Sequence, residues 1–322
     1  MKAWRESASV IIAARNGLKY NQKYDYDLLF LKRHEKANFA GAYVFPGGVI
    51  ESADADIKWK RLYKNYGYDD NSFKTLIPNS KNRPKIFHSN DNELIREISL
   101  RISAIRETFE ECGILLCNNC SKSASSSEIT SFYVANDELT SWQKKVHSDP
   151  NEFYNMCEKL ECYPNLWALH EWANWLTPTF FPASSRFDAA FFFTCLSEIP
   201  ISKHDDGEIN EIVWATPGDA TKLKRSLPPP QLYELSTIAK YKSVDNLMQF
   251  AIERGKKGAE LYLPVRVNLS DGAVHLLPGD SMYPEKVELY KFQILDKSPL
   301  TIEEFRSQSP QVHNRTEFTS KL

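Results

Sequence analysis

The chain has 322 residues, of which 42% are hydrophobic, so it is long enough to bury the core of one large or two small domains. Its formal net charge of -2 gives no reason to expect a nucleic acid or an anionic membrane as a partner. No segment approaches the roughly 20 apolar residues of a membrane span. The apolar run at 187–196 is too short and contains Asp188, and the N-terminal residues lack the apolar core of a secretory signal.

Two apolar runs in the first part of the chain, at 8–14 and 26–31, predict buried strands. A short strand at 42–45 then leads into a turn at Gly47–Gly48. Residues 59–92 are polar and contain prolines, which predicts an inserted segment that mixes a short helix with loop. Its position beside the glycine turn is compatible with a lid over a substrate. Residues 93–112 predict a helix that Gly113 can end in the left-handed conformation.

The second half of the chain alternates helical and strand-like segments. A low-complexity linker at 121–127 precedes two stretches with helical spacing, 138–159 and 166–175. The later elements are predicted strands at 187–196, 208–215 and 288–294, predicted helices at 217–225, 231–241 and 244–254, and a hairpin formed by 262–269 and 273–277. Mixed strands flanked by helices indicate an α/β sandwich.

The predicted helix at 93–112 carries three carboxylates, Glu107, Glu110 and Glu111, at spacings that place them on one face. An apolar stripe lies almost opposite them and consists of Ile98, Ile102, Ile105 and Phe109. Like charges this close destabilise a helix, and a hard divalent cation such as Mg2+ or Mn2+ would remove that penalty. The alternative is an ordinary acidic face exposed to solvent.

The glycine turn and the carboxylate helix together resemble the Nudix box. In the usual pattern a glycine is followed six positions later by Glu, and eight positions after that by the Arg of REXXEE. Gly48 fits the glycine, Asp54 stands where Glu is expected, and Arg106 comes about 44 residues later than the standard spacing allows. A box split at this place resembles the peroxisomal acyl-coenzyme A diphosphatase branch of the superfamily. Further similar segments are 176–178 (LTP), 186–188 (RFD), 227–231 (LPPPQ) and 277–280 (LPGD).

The resemblance implies a fold and a domain organisation. The fold would be the Nudix α/β/α sandwich with a mixed sheet, a long insertion inside the box, a helical insertion, and a C-terminal extension of helices and a hairpin. The hydrolase domain would span residues 7–295, with insertions at about 55–92 and 121–176. Residues 296–322 would form an extended tail.

The resemblance also implies chemistry. Nudix enzymes hydrolyse a nucleoside diphosphate linked to another moiety, here coenzyme A or acyl-coenzyme A, with a divalent cation as cofactor. Glu107, Glu110 and Glu111 would be the metal ligands, and the Gly47 carbonyl would be a further one. Arg106 would pair with Glu51 or Asp54 and hold the helix against the glycine turn.

Other candidate residues are less specific. The preferred general base is Glu208, close to Asp205 and Asp206, although this acidic loop reads equally well as a solvated turn. Binding the 3′-phosphate of coenzyme A requires basic residues. The nearest cluster is Lys32, Arg33 and Lys36, before the turn at Gly47 and Gly48, and Arg186 is a second candidate. Trp167, Trp172 and Trp175 would line an acyl groove if helical, but tryptophans at this spacing more often belong to a core.

The chain ends in Ser320-Lys321-Leu322, which is a peroxisomal import address when it lies at a free C-terminus. It predicts a peroxisomal location and the import receptor as a partner. Two other functions are open to the sequence. One is a Nudix hydrolase for ADP-ribose, a dinucleotide or capped RNA, and the other is a nucleotide-binding module without catalysis.

The cysteines allow two interpretations. Cys117 and Cys120, taken with Cys157 and Cys162, have spacings found in zinc sites. No histidine lies near them in the sequence. Buried thiols in a reducing compartment are the plainer account.

Overall fold

The computed structural model describes residues 4–17, 23–35, 40–119, 137–204, 207–308, 311 and 314–319. The strands are β1 Arg5–Arg15, β2 Tyr26–Arg33, β3 Tyr43–Val44, β4 Gly47–Val49, β5 Cys117–Asn119, β6 Cys162–Pro164, β7 His170–Leu176, β8 Phe187–Leu196, β9 Ile209–Ala215, β10 Leu261–Tyr262, β11 Val265–Leu269, β12 Gly272–Leu276, β13 Ile294–Asp296 and β14 Arg315–Thr319. The α-helices are α1 Lys58–Asn65, α2 Asp70–Lys74, α3 Arg96–Cys112, α4 Asp137–Ser148, α5 Asn151–Lys159, α6 Pro217–Ala220, α7 Pro229–Ile238, α8 Val244–Lys257 and α9 Ile302–Ser307.

The chain divides into two compact units. The larger unit comprises residues 7–172 and 190–259, and the smaller one residues 1–6, 173–189 and 260–322. In the larger unit the strands follow the order β8-β1-β2-β3, with β4 paired to β1 and β9 paired to β2. Strand β1 is buried at eight successive positions, as expected for a central strand covered on both faces. Strands β5 and β6 form a separate antiparallel ribbon in this unit.

The smaller unit contains a sheet in the order β13-β11-β12-β14. Strands β11 and β12 form an antiparallel hairpin, which confirms the predicted one, and β13 runs parallel to β11. Strand β10 runs parallel to β7 in the same unit. The sheets are therefore mixed, as the sandwich prediction requires. Within the described residues, no helix is both long and apolar enough to cross a membrane.

Most predicted elements are confirmed, but two are wrong. Residues 166–175 are not a helix: a 3-10 turn at Leu166–Ala168 precedes β7. Six of the seven residues of β7 are buried, so the strand shows no alternation of polar and apolar positions that could distinguish it from a helix. The insertion predicted as helical is helical only in α4 and α5 among its described residues. The strand predicted at 288–294 begins only at Ile294.

The predicted extended tail, residues 296–322, is folded in its described part. It contains α9, and β14 pairs antiparallel with β12, joining Leu276 to Arg315 and Gly272 to Thr319. Only Arg315–Thr319 is extended by its place in a sheet, and the helix α9 is not. The linker at 121–127 and the final SKL lie outside the described residues.

Candidate active site

Helix α3 carries the three glutamates, and it is buried almost all round. Every residue from Arg96 to Cys112 except Glu107 is buried, and the Glu107 side chain keeps only 15% of its surface exposed. The apolar stripe lies in the core, as predicted. Gly113 ends the helix with a positive φ of 70°. The acidic face is therefore not a solvated surface, and the alternative interpretation of the glutamates is wrong.

Gly47 and Gly48, predicted as a turn, instead lie in strand β4 directly against this helix, so the two halves of the split box meet. Strand β4 pairs with β1, opposite Ala8 and Ser9, and the Gly47 N–H donates to Glu111 Oε2 at 2.8 Å. Gly47 has φ +152°, and a Cβ there would lie within 2.8 Å of the Ala8 carbonyl oxygen and of Ser9. A Cβ on Gly48 would instead lie within 2.6 Å of all three carboxylate atoms of Glu107. The two glycines are thus required for different reasons.

Arg106 joins the helix to the segment after the turn. Its Nε and Nη2 atoms donate to the two Asp54 carboxylate oxygens at 2.8 and 2.9 Å, a bidentate pair. Nη2 also donates to the Val49 carbonyl at 3.1 Å, and Nη1 donates to Glu110 Oε1 at 2.6 Å. Asp54 is therefore the partner, rather than Glu51. The Asp54 side chain in turn accepts from the Glu51 N–H at 3.0 Å.

Arg33 and Glu208 lie at the edge of the same cluster. Arg33 Nη1 is 3.8 Å from Glu111 Oε1, and Nη2 is 3.6 Å from Glu208 Oε2. The Glu208 side chain is 54% exposed. Lys32, by contrast, places its Nζ 5.7 Å from the centre of the Tyr43 ring. The register of β2 with β9 is irregular between Lys32 and Arg33, which re-aims the side chains there.

Comparison with known proteins identifies the family. Residues 4–238 match the NUDT19 Nudix domain, and residues 266–320 match the NUDT19 C-terminal domain. The chain belongs to the NUDT19 Nudix family. It is 36% identical over 316 residues to the "Acyl-coenzyme A diphosphatase NUDT19" of Xenopus laevis, covering 90% of this chain and 83% of that protein. The Homo sapiens protein of the same name is 34% identical over 303 residues, covering 88% and 81% respectively.

A solved structure supports the fold. The crystal structure of a NUDIX hydrolase from Alicyclobacillus acidocaldarius is similar, with a TM-score of 0.56 at 17% identity. The similarity covers 77% of this chain and 97% of that one. The predicted Nudix sandwich with a mixed sheet is therefore confirmed.

Burial dominates the electrostatics of the Nudix box. It raises the pKa of Glu107 to about 7; the Arg106 guanidinium opposes this shift and the Glu110 carboxylate adds to it. Burial also raises the pKa of Glu111 well above its ordinary value, and the charge of Glu107 acts in the same direction. The pKa of Glu110 rises for the same reason, against the pull of Arg106. All three carboxylates are therefore costly to ionise without a further positive charge.

The donor set fits a hard divalent cation, which Nudix hydrolases generally use. Carboxylate oxygens are the ligands that Mg2+ and Mn2+ prefer. Among the described residues, five carboxylates face two guanidinium groups, so the cluster has excess negative charge that a divalent cation would offset. They are the carboxylates of Asp54, Glu107, Glu110, Glu111 and Glu208 and the guanidinium groups of Arg33 and Arg106.

The three glutamates are turned toward protein donors. Glu107 and Glu110 face Arg106, and Glu111 faces the Gly47 N–H. Within the described part of the chain, their oxygens do not form one three-ligand group within 4.8 Å. Their role as metal ligands, and that of the Gly47 carbonyl, stays a prediction.

Sequence reasoning missed the contribution of helix α4. Gln143 Nε2 donates to the Glu110 carbonyl at 2.9 Å and to the Lys203 carbonyl at 3.0 Å. One turn later, His147 Nδ1 lies 3.8 Å from Glu110 Oε2. The spacing of four between Gln143 and His147 puts both on one helical face, but nothing local in the sequence shows what that face meets.

The remaining candidates lie elsewhere or outside the description. Trp172 is fully buried and donates to Glu234 Oε2 at 2.6 Å, and Trp175 is 4% exposed, so both are core residues rather than a groove lining. Trp167 stacks on Tyr68, with ring centres 4.4 Å apart. Arg186 is buried in the smaller unit. Lys36, Asp205 and Asp206 lie outside the described residues.

Proposed function

We propose that this chain is a divalent-cation-dependent diphosphatase that acts on coenzyme A and acyl-coenzyme A. Water would cleave the phosphorus–oxygen anhydride bond, giving 3′,5′-ADP and 4′-phosphopantetheine or its acyl derivative. The observation that carries the proposal is the assembled box, in which Gly48 lies against Glu107 and Asp54 is locked to Arg106. The substrate is supported by the names of the relatives, which are 34–36% identical along most of their length.

Glu107, Glu110 and Glu111 would hold Mg2+ or Mn2+. When bound, the cation would neutralise diphosphate charge and lower the pKa of a bound water. The chain's own residues supply the frame. Arg106 holds the helix against the segment that carries Asp54 through its bidentate pair, and its Nη1 also contacts Glu107 at 2.9 Å and Glu110 at 2.6 Å. Carboxylates held in fixed positions lower the activation barrier more than mobile carboxylates would.

Glu208 is the proposed proton acceptor for the attacking water. Its side chain is partly exposed, so it can meet a substrate, and Arg33 links it to Glu111. Arg33 has only 20% of its side chain exposed and is held between two carboxylates. It would contact a phosphate from that position. Lys32 on the same strand is the second basic residue proposed for the 3′-phosphate.

The location is also a proposal. Ser320-Lys321-Leu322 match a peroxisomal import address, which a receptor would read at a free C-terminus. A fluorescent fusion at the N-terminus should be punctate and coincide with a peroxisomal marker. Removal of the three residues should make the signal diffuse, and an unchanged punctate pattern would contradict this assignment.

The function is tested with a panel of substrates and the purified full chain. Coenzyme A, an acyl-coenzyme A, ADP-ribose and a dinucleotide are each incubated with Mg2+ or Mn2+, and products are identified by mass spectrometry. We expect cation-dependent release of 3′,5′-ADP from the first two. Glu111→Gln should abolish turnover, while Glu93→Gln, an exposed carboxylate just before α3, should leave it unchanged.

Two outcomes would reject the proposal. Strong preference for ADP-ribose or the dinucleotide would keep the diphosphatase chemistry but change the substrate. Absence of any hydrolysis by folded protein, with nucleotide binding retained, would favour a binding module.

A further inference from the structure

Three cysteines of the larger unit converge at one point. The sulfur atoms of Cys117, Cys157 and Cys162 all lie within 4.8 Å of one another. All three residues are buried, with at most 2% of their surface exposed. This is the one group of three ligating side chains so close together in the described part of the chain, and the diphosphatase mechanism uses none of it.

The fold brings the three thiols together from separate elements. Cys117 begins β5, four residues after Gly113, which caps α3, and Cys162 begins β6, its antiparallel partner. Cys157 is contributed by α5. Helix α1 of the box insertion closes over the ribbon, where the Tyr63 hydroxyl donates to the Pro164 carbonyl at 2.7 Å.

The other buried cysteines of the described chain behave differently. Cys112 Sγ donates to the Thr108 carbonyl at 2.9 Å, and Cys195 Sγ donates to the Leu196 carbonyl at 3.6 Å, so each is satisfied by nearby backbone. Cys117 and Cys157 instead interact with each other and with Cys162. Packing alone explains one buried thiol but gives no reason for three sulfur atoms to face one another.

We propose that Cys117, Cys157 and Cys162 bind a structural zinc ion as thiolates. The donor set is all sulfur, which selects a thiophilic ion over Mg2+ or Mn2+. Sulfur ligands of a tetrahedral zinc lie about 3.8 Å apart, from a zinc–sulfur distance of about 2.3 Å, so small side-chain rotations suffice from the present separation. A tetrahedral zinc needs a fourth ligand besides these three. Cys120 lies outside the described residues, and the proposal rests on the three described cysteines alone.

Zinc binding here would have two consequences. Each thiol proton would leave to solvent, and burial raises the pKa of Cys117 and Cys157 well above the usual range, so zinc affinity rises with pH. The ion would also tie α5 to the ribbon that follows the carboxylate helix. It would therefore act on the stability of the Nudix unit and take no part in hydrolysis.

The experiment measures metal content and its ligands in the purified full chain. Protein prepared without added metal or an affinity tag that binds metal is dialysed and analysed by mass spectrometry of the elements. We expect about one zinc per chain. Exchange with Co2+ should give the thiolate-to-cobalt charge-transfer absorption, which carboxylates do not produce, so the Nudix box cannot mimic it. Glu111→Gln should keep both signals.

Cys157→Ser and Cys162→Ser should lose the zinc and the absorption, while Cys195→Ser, an equally buried control, should keep them. Wild-type protein with no zinc, no uptake of zinc and no cobalt–thiolate absorption would overturn the proposal. So would a disulfide between two of the three cysteines in protein purified without oxygen. Because these tests use the wild type, they hold even if the serine variants fail to fold.

Discussion

Gly48→Ala should reduce hydrolysis while leaving the fold intact. The backbone of Gly48 does not have a positive φ, so an alanine is sterically allowed there by the main chain. The atoms nearest to the added Cβ would be the three carboxylate atoms of Glu107, all within 2.6 Å, rather than backbone atoms. The flexible end of Glu107 can yield. The substitution therefore displaces a proposed metal ligand without removing it.

The size of the effect follows from that overlap. Ordinary contact begins near 3.5 Å, so the Glu107 carboxylate must withdraw by about 1 Å. A misplacement of that size in a catalytic group costs on the order of 100-fold in rate, or about 2.7 kcal/mol of activation free energy. The free energy of unfolding should change by about 1 kcal/mol or less, because Gly→Ala also restricts the unfolded chain.

Gly47→Ala is the matched control, and it should fail in the opposite way. Its Cβ would collide with the Ala8 carbonyl and with Ser9 in β1, and the φ of +152° disfavours alanine. Backbone cannot move aside as a side-chain end can. We expect a loss of roughly 2–5 kcal/mol in the free energy of unfolding, measured by urea denaturation. Adjacent glycines would thus separate an effect on activity from an effect on stability.

A double-mutant cycle tests the cause. If Gly48→Ala acts through Glu107, then adding it to Glu107→Ala should cost nothing further in kcat/KM, because the displaced carboxylate is already gone. The assay is initial rate with coenzyme A and Mg2+, beside a urea curve for each variant. Wild-type rates for Gly48→Ala, or additive losses in the double variant, would refute the reasoning.

Three further predictions concern stability, each read from urea denaturation. Arg106→Met leaves the Asp54 carboxylate, which is 1% exposed, without its guanidinium partner. The free energy of unfolding should fall by about 3–5 kcal/mol, and a loss below 1 kcal/mol would contradict the pairing. Arg83→Met should cost less, about 1–3 kcal/mol, because Glu171 loses the contacts at 2.6 and 2.9 Å but keeps Arg101 Nη2 at 3.7 Å and the Ala259 N–H at 3.1 Å. Burial lowers the pKa of His170 to about 4, so the folded state favours the neutral imidazole. The free energy of unfolding should therefore be highest above pH 6.5 and should fall by up to about 3 kcal/mol as the pH falls toward 4. In His170→Phe the free energy of unfolding should depend less on pH in this range, and an unchanged pH dependence would contradict the prediction.

The sequence predicted those parts of the site that are local. Helix α3 could be read from spacing alone, because both its apolar stripe and its glutamates repeat within one element. The meeting of Gly48 with Glu107 could not, because nearly 60 residues separate them; that expectation came from the family resemblance. The sequence predicted that Arg106 pairs with Glu51 or Asp54, and only the structure decides for Asp54.

Contacts that arise only from packing stayed hidden. Gln143 and His147 reach Glu110 because α4 folds back on α3, and no local signal encodes that return. Arg33 was proposed as a phosphate ligand from its charge, but its position between Glu111 and Glu208 depends on an irregularity in strand pairing. Strand β7 was misread because it is buried on both faces, so tertiary burial erased the period that distinguishes strand from helix.

The split box works because the insertion leaves and returns at one point. The Leu94 N–H donates to the Ala55 carbonyl at 3.1 Å, so the two ends of the insertion lie next to each other. The ends of a tolerated insertion are expected to lie close in this way. Asp54, just before that junction, can then reach Arg106 as it would in an uninterrupted box.

The insertion is also part of the structure that supports the helix, and not a lid over it. Trp59, Tyr63 and Phe73 are buried in the same hydrophobic core as Ile98 and Phe109 of α3. Arg83 then ties the end of the insertion to Glu97, in the first turn of α3, at 3.0 Å. A hinged lid would need a surface that separates from the core, and removing these side chains would expose a large apolar area. The residues that interrupt the motif therefore hold its second half in place, and deleting them should unfold the helix rather than open the site.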